Sequence, residues 1–279
     1  MATNPQKINR VVTELTYHPG NISAVNSALE SFRMLVVPQL GASRYVTRLA
    51  QNPADIRAAQ ALRFQVFNLE LQEGLEQSHA AGLDADAFDP VCDHLLVEHQ
   101  PSGQVVGTYR LQTGAHAAAH EGYYCEQEFR FEVFERLRPE IVELGRACVH
   151  VDHRNLFVLG LLWKGIADYA RERGSRYLIG CTSLTSQDPA VGASAYADLC
   201  RRHRVEPSLR TVPLPEYDCP LDSVAAEPVK LPKLLRAYLG LGAKICGPPA
   251  LDRQFKTIDF LTLLDLQTVP LLARQKFLG

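Results

Sequence analysis

The sequence has seven cysteines but no C-x-x-C pair. An odd number of scattered thiols excludes the framework of a small secreted disulfide protein and the paired spacing of a zinc ribbon. The reading left is reduced, mostly buried thiols in a cytoplasmic protein. Charge of one sign is missing too. The formal net charge is −2, which gives no global attraction to nucleic acid. No apolar run approaches the roughly 20 residues that a membrane span requires. The opening "MATNPQKINRVVTELTYHPG" has no apolar core of signal-peptide type. Repeats and low-complexity tracts are also absent. Hydrophobic residues make up 46% and charged residues 22%, the balance of an ordinary soluble globular protein.

Residues 1–43 carry Pro5, Pro19, Gly20, Pro38 and Gly41 with no sustained period, and read as a weakly ordered lead-in. "RYVTRLA" (44–50) reads as a strand. Asn52 and Pro53 then suit an N-cap and first helical position, with Ile56, Ala59, Leu62, Val66 and Leu69 at helical spacing. "LDADAFDPVCD" is an acidic loop, and the two runs around "PSG" predict a hairpin. "HAAAHEGYYCEQEFRFEVFERLRPE" mixes loop and short helix, with "AHAAAHEG" a solvated loop. "IVELGRACVHV" and "RYLIGCTSL" are strands around a helix that Gly174 stops. Two more helices follow, in "DPAVGASAYADLCRRHR" and "LPKLLRAYLGLGAKI", and "KTIDFLTLLDL" is a strand or short helix. Strands before and between helices give an α/β or α+β fold with a mixed sheet.

Charges that interrupt apolar patterns mark the candidate site. Arg63 stands one helical turn before Phe67, Asp86 and Asp89 flank Phe88, and Arg110 ends a hairpin strand. Glu143 and Arg146 sit in "ELGR" with Gly145 between them. A glycine within a strand often marks a bulge, and a bulge can aim a backbone N–H at a bound carbonyl. Each charge taken alone also fits a structural ion pair. His150 and His153 lack a third ligand at useful spacing, so no metal is expected. Cys148 reads as packing.

The segments "LRFQVF", "DAFDPVCDHLLV", "GTYRLQ", "ELGRACV", "LLWKGIADY", "YLIGCTSL" and "LLRAYLGLGAKICGPPALDRQF" together resemble the ornithine–acyl-carrier-protein N-acyltransferases. These lyso-ornithine-lipid synthases are relatives of the acyl-homoserine-lactone synthases within the GNAT superfamily. The resemblance covers roughly residues 44–262 and leaves 263–279 as a C-terminal tail. It implies a GNAT fold: a central mixed, twisted sheet flanked by helices, with "ELGRACVHV" and "RYLIGCTSL" splayed around a pantetheine arm. It also implies a cleft lined by Arg63, Phe67, Asp86, Asp89, Arg110, Glu143 and Arg146. Glu143 would take the amine proton. Arg146, Arg110 and Arg63 would organise a carboxylate pocket. Asp86 and Asp89 would hold ornithine's second amine or support those arginines.

Two departures refine this expectation. Lactone synthases carry a tryptophan soon after the Arg/Phe helix, and "NLELQEG" has none. The glycine-rich CoA loop is replaced by "HRNLFVLG". The expected donor is therefore the phosphopantetheine thioester of acyl-carrier protein as a co-substrate, with no bound cofactor. The expected acceptor is ornithine or another amino acid. Alternatives of another kind are a lactone synthase and a non-catalytic lipid- or carrier-binding module. Arg201 and Arg202 are candidates for docking an acidic carrier protein. The tail either closes the core or touches the inner membrane face through Leu271, Leu272, Phe277, Arg274 and Lys276.

Overall fold

In the computed structural model, residues 44–271 and 274 are described. The lead-in expected over 1–43 lies outside the described residues, as do Leu272, Lys276 and Phe277 of the tail. Val269 of that tail is buried and Leu271 is exposed.

Strand β1 (Tyr45–Leu49) leads into helix α1 (Pro53–Phe64). Asn52 starts this helix by accepting from the amides of Ala54 and Asp55 at 2.9 and 3.1 Å. Asp55, at the positive end of the helix, is also clamped by Arg48 of β1 at 2.7 Å. The chain then continues as a wider π-helical turn over Gln65–Glu70, so Arg63 and Phe67 lie on either side of a change in helix type. A short helix, α2 (Ser78–Ala81), precedes the acidic loop. The hairpin forms as expected, from β2 (Asp93–His99) and β3 (Gln104–Thr113). Helix α3 (Gly114–Ala119) replaces the solvated loop expected there, because Thr113 caps it through the His116 amide and Ala117 is buried.

Strand β4 (Ile141–Val149), helix α4 (Leu156–Glu172) and strand β5 (Tyr177–Leu184) form one unit. Gly174, with φ +64°, ends the turn after α4. Helix α5 (Pro189–Cys200) and helix α6 (Lys233–Gly240) follow. Two short strands, β6 (Lys244–Ile245) and β7 (Ala250–Asp252), precede β8 (Thr257–Asp265), which is strand throughout rather than helix.

The sheet runs β1-β2-β3-β4-β5-β8-β6, with β7 also paired to β8. All pairings are antiparallel except β4 with β5. Alternation along β3 assigns its two faces. Gly107 stands against Val158 and Leu162 of α4, and Tyr109 bonds the Tyr238 hydroxyl of α6 at 2.8 Å. Arg110 points to the other face, where it shares Asp89 with Arg63 of α1. Helices therefore cover both sides of the sheet. β8 lies at the heart of one half, and eight of its nine residues are buried.

Candidate active site

The parallel pair β4/β5 is in register for three positions only: Ile141 with Tyr177, Val142 with Leu178 and Glu143 with Ile179. Beyond these the strands part, and a cavity of about 360 Å³ opens in the fork. Gly180 sits at the crotch. A Cβ there would stand 2.2 Å from the Leu144 carbonyl oxygen, so the two backbones touch where the fork begins.

The β3/β4 pairing slips by one residue between Thr108 and Arg110. The extra residue lies in β4, opposite Tyr109. The bulge expected around Gly145 is thus present, but the left-handed residue is Arg146, with φ +51°. This explains a charge pattern that a flat strand would not tolerate. Residues three apart in a regular strand point to opposite faces, whereas the bulge lets Glu143 and Arg146 line the same cavity. Gly145 lies between them, and a Cβ built there meets nothing within 4 Å. A methyl group would occupy cavity space without disturbing packing. Gly145→Ala is expected to keep the wild-type melting temperature and to raise KM several-fold. An unchanged KM at equal stability would show that substrate does not reach this wall.

Glu143 is 6% exposed. Its carboxylate accepts from the amides of Tyr124 at 2.8 Å and Cys125 at 2.7 Å. Burial pushes its pKa above the ordinary glutamate value, and these amides only partly offset the shift. It is a fixed, buried carboxylate of raised basicity on the cavity wall.

Behind that wall lies a balanced ion network. Arg63 donates to Asp89 at 2.9 and 2.6 Å and stands 3.0 Å from Asp84, outside hydrogen-bonding angle. Arg110 reaches Asp86 at 2.5 Å and Asp89 at 3.1 Å. Arg146 reaches Asp86 at 3.0 Å and Asp84 at 3.4 Å. Burial pushes the Asp86 carboxyl up, but Arg110 and Arg146 outweigh it and hold the group below the usual carboxylate range. Asp89 shows the same direction: burial raises it and Arg63 more than compensates. Of the seven residues expected at the site, Phe67, Arg110, Glu143 and Arg146 line the cavity. Arg63, Asp86 and Asp89 form the supporting layer, and the carboxylates of both acids are taken up by arginines. Asp84 is a fourth member that the sequence reading passed over. Tyr124 and Phe255 were missed as well, and the Arg146 guanidinium lies 4.1 Å from the centre of the Phe255 ring.

The cavity carries a second group that the sequence reading did not single out. Glu128, Asp252 and Asp259 line it, and their oxygens lie within 4.8 Å of one another. Among the described residues this is the one group of acids and histidines close enough to hold a cation. Cys148 packs beside Leu62 and Val66 instead of facing the fork. His150 and His153 stack edge to face at 5.5 Å, near Tyr45.

Outside the fork, the "HRNLFVLG" turn fills the start of α4 with its own side chains. Asn155 accepts from the Phe157 and Val158 amides, both at 3.0 Å. Arg154 is engaged by both oxygens of Glu70 and donates to the Val149 carbonyl. Among the described residues no helix is long and apolar enough to cross a membrane.

A mixed sheet with a forked parallel pair, a bulged strand on one side of the fork and a buried acid at the base of the fork defines a GNAT-type acyltransferase. Residues 62–164 match the family model described as an Acetyltransferase (GNAT) domain. Two curated relatives are each named L-ornithine N(alpha)-acyltransferase. The protein from Agrobacterium fabrum is 34% identical over 238 residues, covering 80% of this chain and 81% of its own. The protein from Rhodobacter capsulatus is 34% identical over 238 residues, covering 81% and 91%. Among solved structures, an N-acyl amino acid synthase from uncultured soil microbes aligns with a TM-score of 0.47 at 13% identity, over 83% of this chain and 98% of that one. The chain belongs to the L-ornithine N(alpha)-acyltransferase family.

Proposed function

We propose that the protein moves a fatty acyl group, 3-hydroxylated or not, from the phosphopantetheine thioester of acyl-carrier protein to the α-amine of ornithine, giving lyso-ornithine lipid. The observation that carries this reading is the open fork, which has room for a thioester arm and a buried carboxylate at its base. The neutral α-amine attacks the thioester carbonyl, a C–N bond forms and the C–S bond breaks. The carrier thiol leaves, and the amine proton passes to Glu143 directly or through a water. The β4 bulge at Arg146 supplies backbone N–H groups for the carbonyl oxygen as it gains charge. Arg146, stacked on Phe255, and Arg110 meet the acceptor carboxylate, while Asp84, Asp86 and Asp89 hold both guanidiniums in place. Phe67 forms part of the apolar wall.

Acyl-carrier protein is favoured over CoA as donor because the start of α4 is occupied. A pyrophosphate seat needs free N-terminal amides, and Asn155 accepts from two of them. Arg201 at the end of α5 is highly exposed, and Arg201 and Arg202 offer a docking surface for an acidic carrier. The test is to supply the purified protein with ornithine and matched acyl-carrier protein or acyl-CoA, and to read products by mass spectrometry. N-acylornithine is expected, with kcat/KM at least tenfold higher for the carrier-protein donor. Equal efficiency with acyl-CoA overturns the donor assignment. Absence of N-acylornithine with either donor overturns the acceptor.

A further inference from the structure

We propose that Glu128, Asp252 and Asp259 form the subsite for the side-chain ammonium of the acceptor, so that this end of the cavity selects a diamino acid over a neutral one. The inference rests on the reading of amino-acid N-acylation given above and adds how the second amine is recognised.

The three acids come from separate segments. Glu128 follows the turn after α3, Asp252 ends β7, and Asp259 interrupts the buried run of β8. They are 1%, 2% and 3% exposed, yet all face the cavity. Asp84, Asp86 and Asp89 nearby each have arginine partners. Among the described residues none of the cavity trio has an ion-pair partner. Their hydrogen bonds are few. Asp252 Oδ1 accepts from the Gln254 and Phe255 amides. Asp259 Oδ2 accepts from the Thr257 hydroxyl at 3.0 Å, and Glu128 Oε2 from the Cys181 thiol at 3.7 Å. Asp259 Oδ1 is buried without a hydrogen bond of good geometry, and Ser183, its cross-strand neighbour on β5, stands beside the carboxylate.

Three clustered carboxylates away from bulk water are costly unless a cation or protons compensate them. The crowding shows in how tightly two of them hold a proton: burial and the two neighbouring aspartates push Glu128 well above its ordinary range. Burial, with Asp252 nearby, pushes Asp259 up to about 6. An alkylammonium carries three N–H donors, one for each acid. The cavity is therefore polar in a definite sense, with the Arg110 and Arg146 guanidiniums on one wall and the acids on another. An amino acid lying between them presents its carboxylate to the arginines and its side-chain amine to the acids. Its α-amine then lies at the fork. A divalent metal suits the trio less well, since calcium takes six to eight oxygens and magnesium a near-octahedral set.

The experiment compares ornithine with norvaline, which has the same carbon chain and no terminal amine. Initial rates at saturating acyl-carrier protein are measured for wild type, Asp259→Asn and Glu128→Gln, each checked for folding by its melting temperature. Both substitutions put a neutral amide of the same size in place of a buried carboxyl, so the variants are expected to fold. Each should raise KM for ornithine by roughly 10- to 100-fold, the scale of one charged hydrogen bond. Activity on norvaline should hold or improve, so the preference for ornithine collapses. A preserved ornithine-to-norvaline ratio in folded variants overturns the proposal, as does an equal loss on both acceptors. Wild-type activity that is lost to EDTA and restored by magnesium or calcium would assign the trio to a metal instead. Failure of wild type to acylate ornithine at all refutes the functional reading itself, and that outcome is distinct from a preserved ratio.

Discussion

Glu143→Gln is expected to lower kcat by roughly 10²- to 10⁴-fold, the usual range for a lost general base. The amine must lose a proton during attack, and Glu143 is the buried acid of the β4 arm of the fork. Its raised pKa has a definite consequence for pH. The base works only when ionised, so wild-type activity should climb with pH through a value above that of an ordinary glutamate and then level off. The variant should lose that limb of the profile. Glutamine also turns an NH₂ toward one of the two amides that the carboxylate accepts from, Tyr124 or Cys125. A fall of a few degrees in melting temperature should accompany the kinetic loss. Near-normal turnover per folded molecule, with the acidic limb intact, would remove Glu143 from proton transfer.

Asp89→Ala should produce the largest loss of stability. Asp89 is 2% exposed and serves Arg63, Arg110 and Gln60 together. Its removal leaves two buried guanidiniums short of a partner, which costs about 3–5 kcal/mol. For a domain of this size that is a drop of roughly 6–20 °C in melting temperature. Asp55→Ala breaks the more exposed pair with Arg48 and should cost about 1 kcal/mol or less. The pH dependence has a clear sign. Asp86 and Asp89 titrate lower in the folded protein than in the unfolded chain. Their contribution is therefore complete above the ordinary carboxylate pKa and fades as pH falls through the folded values. Calorimetry on both variants checks the ranking; equal melting temperatures would show that the network does not hold the fold together.

Local chemistry made part of this structure readable in advance. Asn52 and Pro53 announced α1 because a side-chain acceptor and a missing N–H are both suited to a helix start. "PSG" marked the hairpin for a similar reason. Glu143 and Arg146 stood out because they break an apolar strand, and "ELGR" pointed to the bulge. It could not say which residue takes the left-handed conformation, since glycine is the usual choice and here Arg146 does so. The π-helical turn after Phe64 had no local signal. Asp84 was passed over because an acid in an acidic loop looks solvated, although it is 1% exposed. Glu128, Asp252 and Asp259 meet only through tertiary folding. Asp259 did leave a trace, breaking the run of β8 just as Glu143 breaks β4.

The contact between Gly180 and the Leu144 carbonyl bears on how such a catalyst can diversify. Main chain meets main chain there, so the opening angle of the cleft is set without help from the residues that face the substrates. Side chains along the walls can be exchanged over evolutionary time, altering which acyl chain or which amine is accepted, while the frame around them stays put.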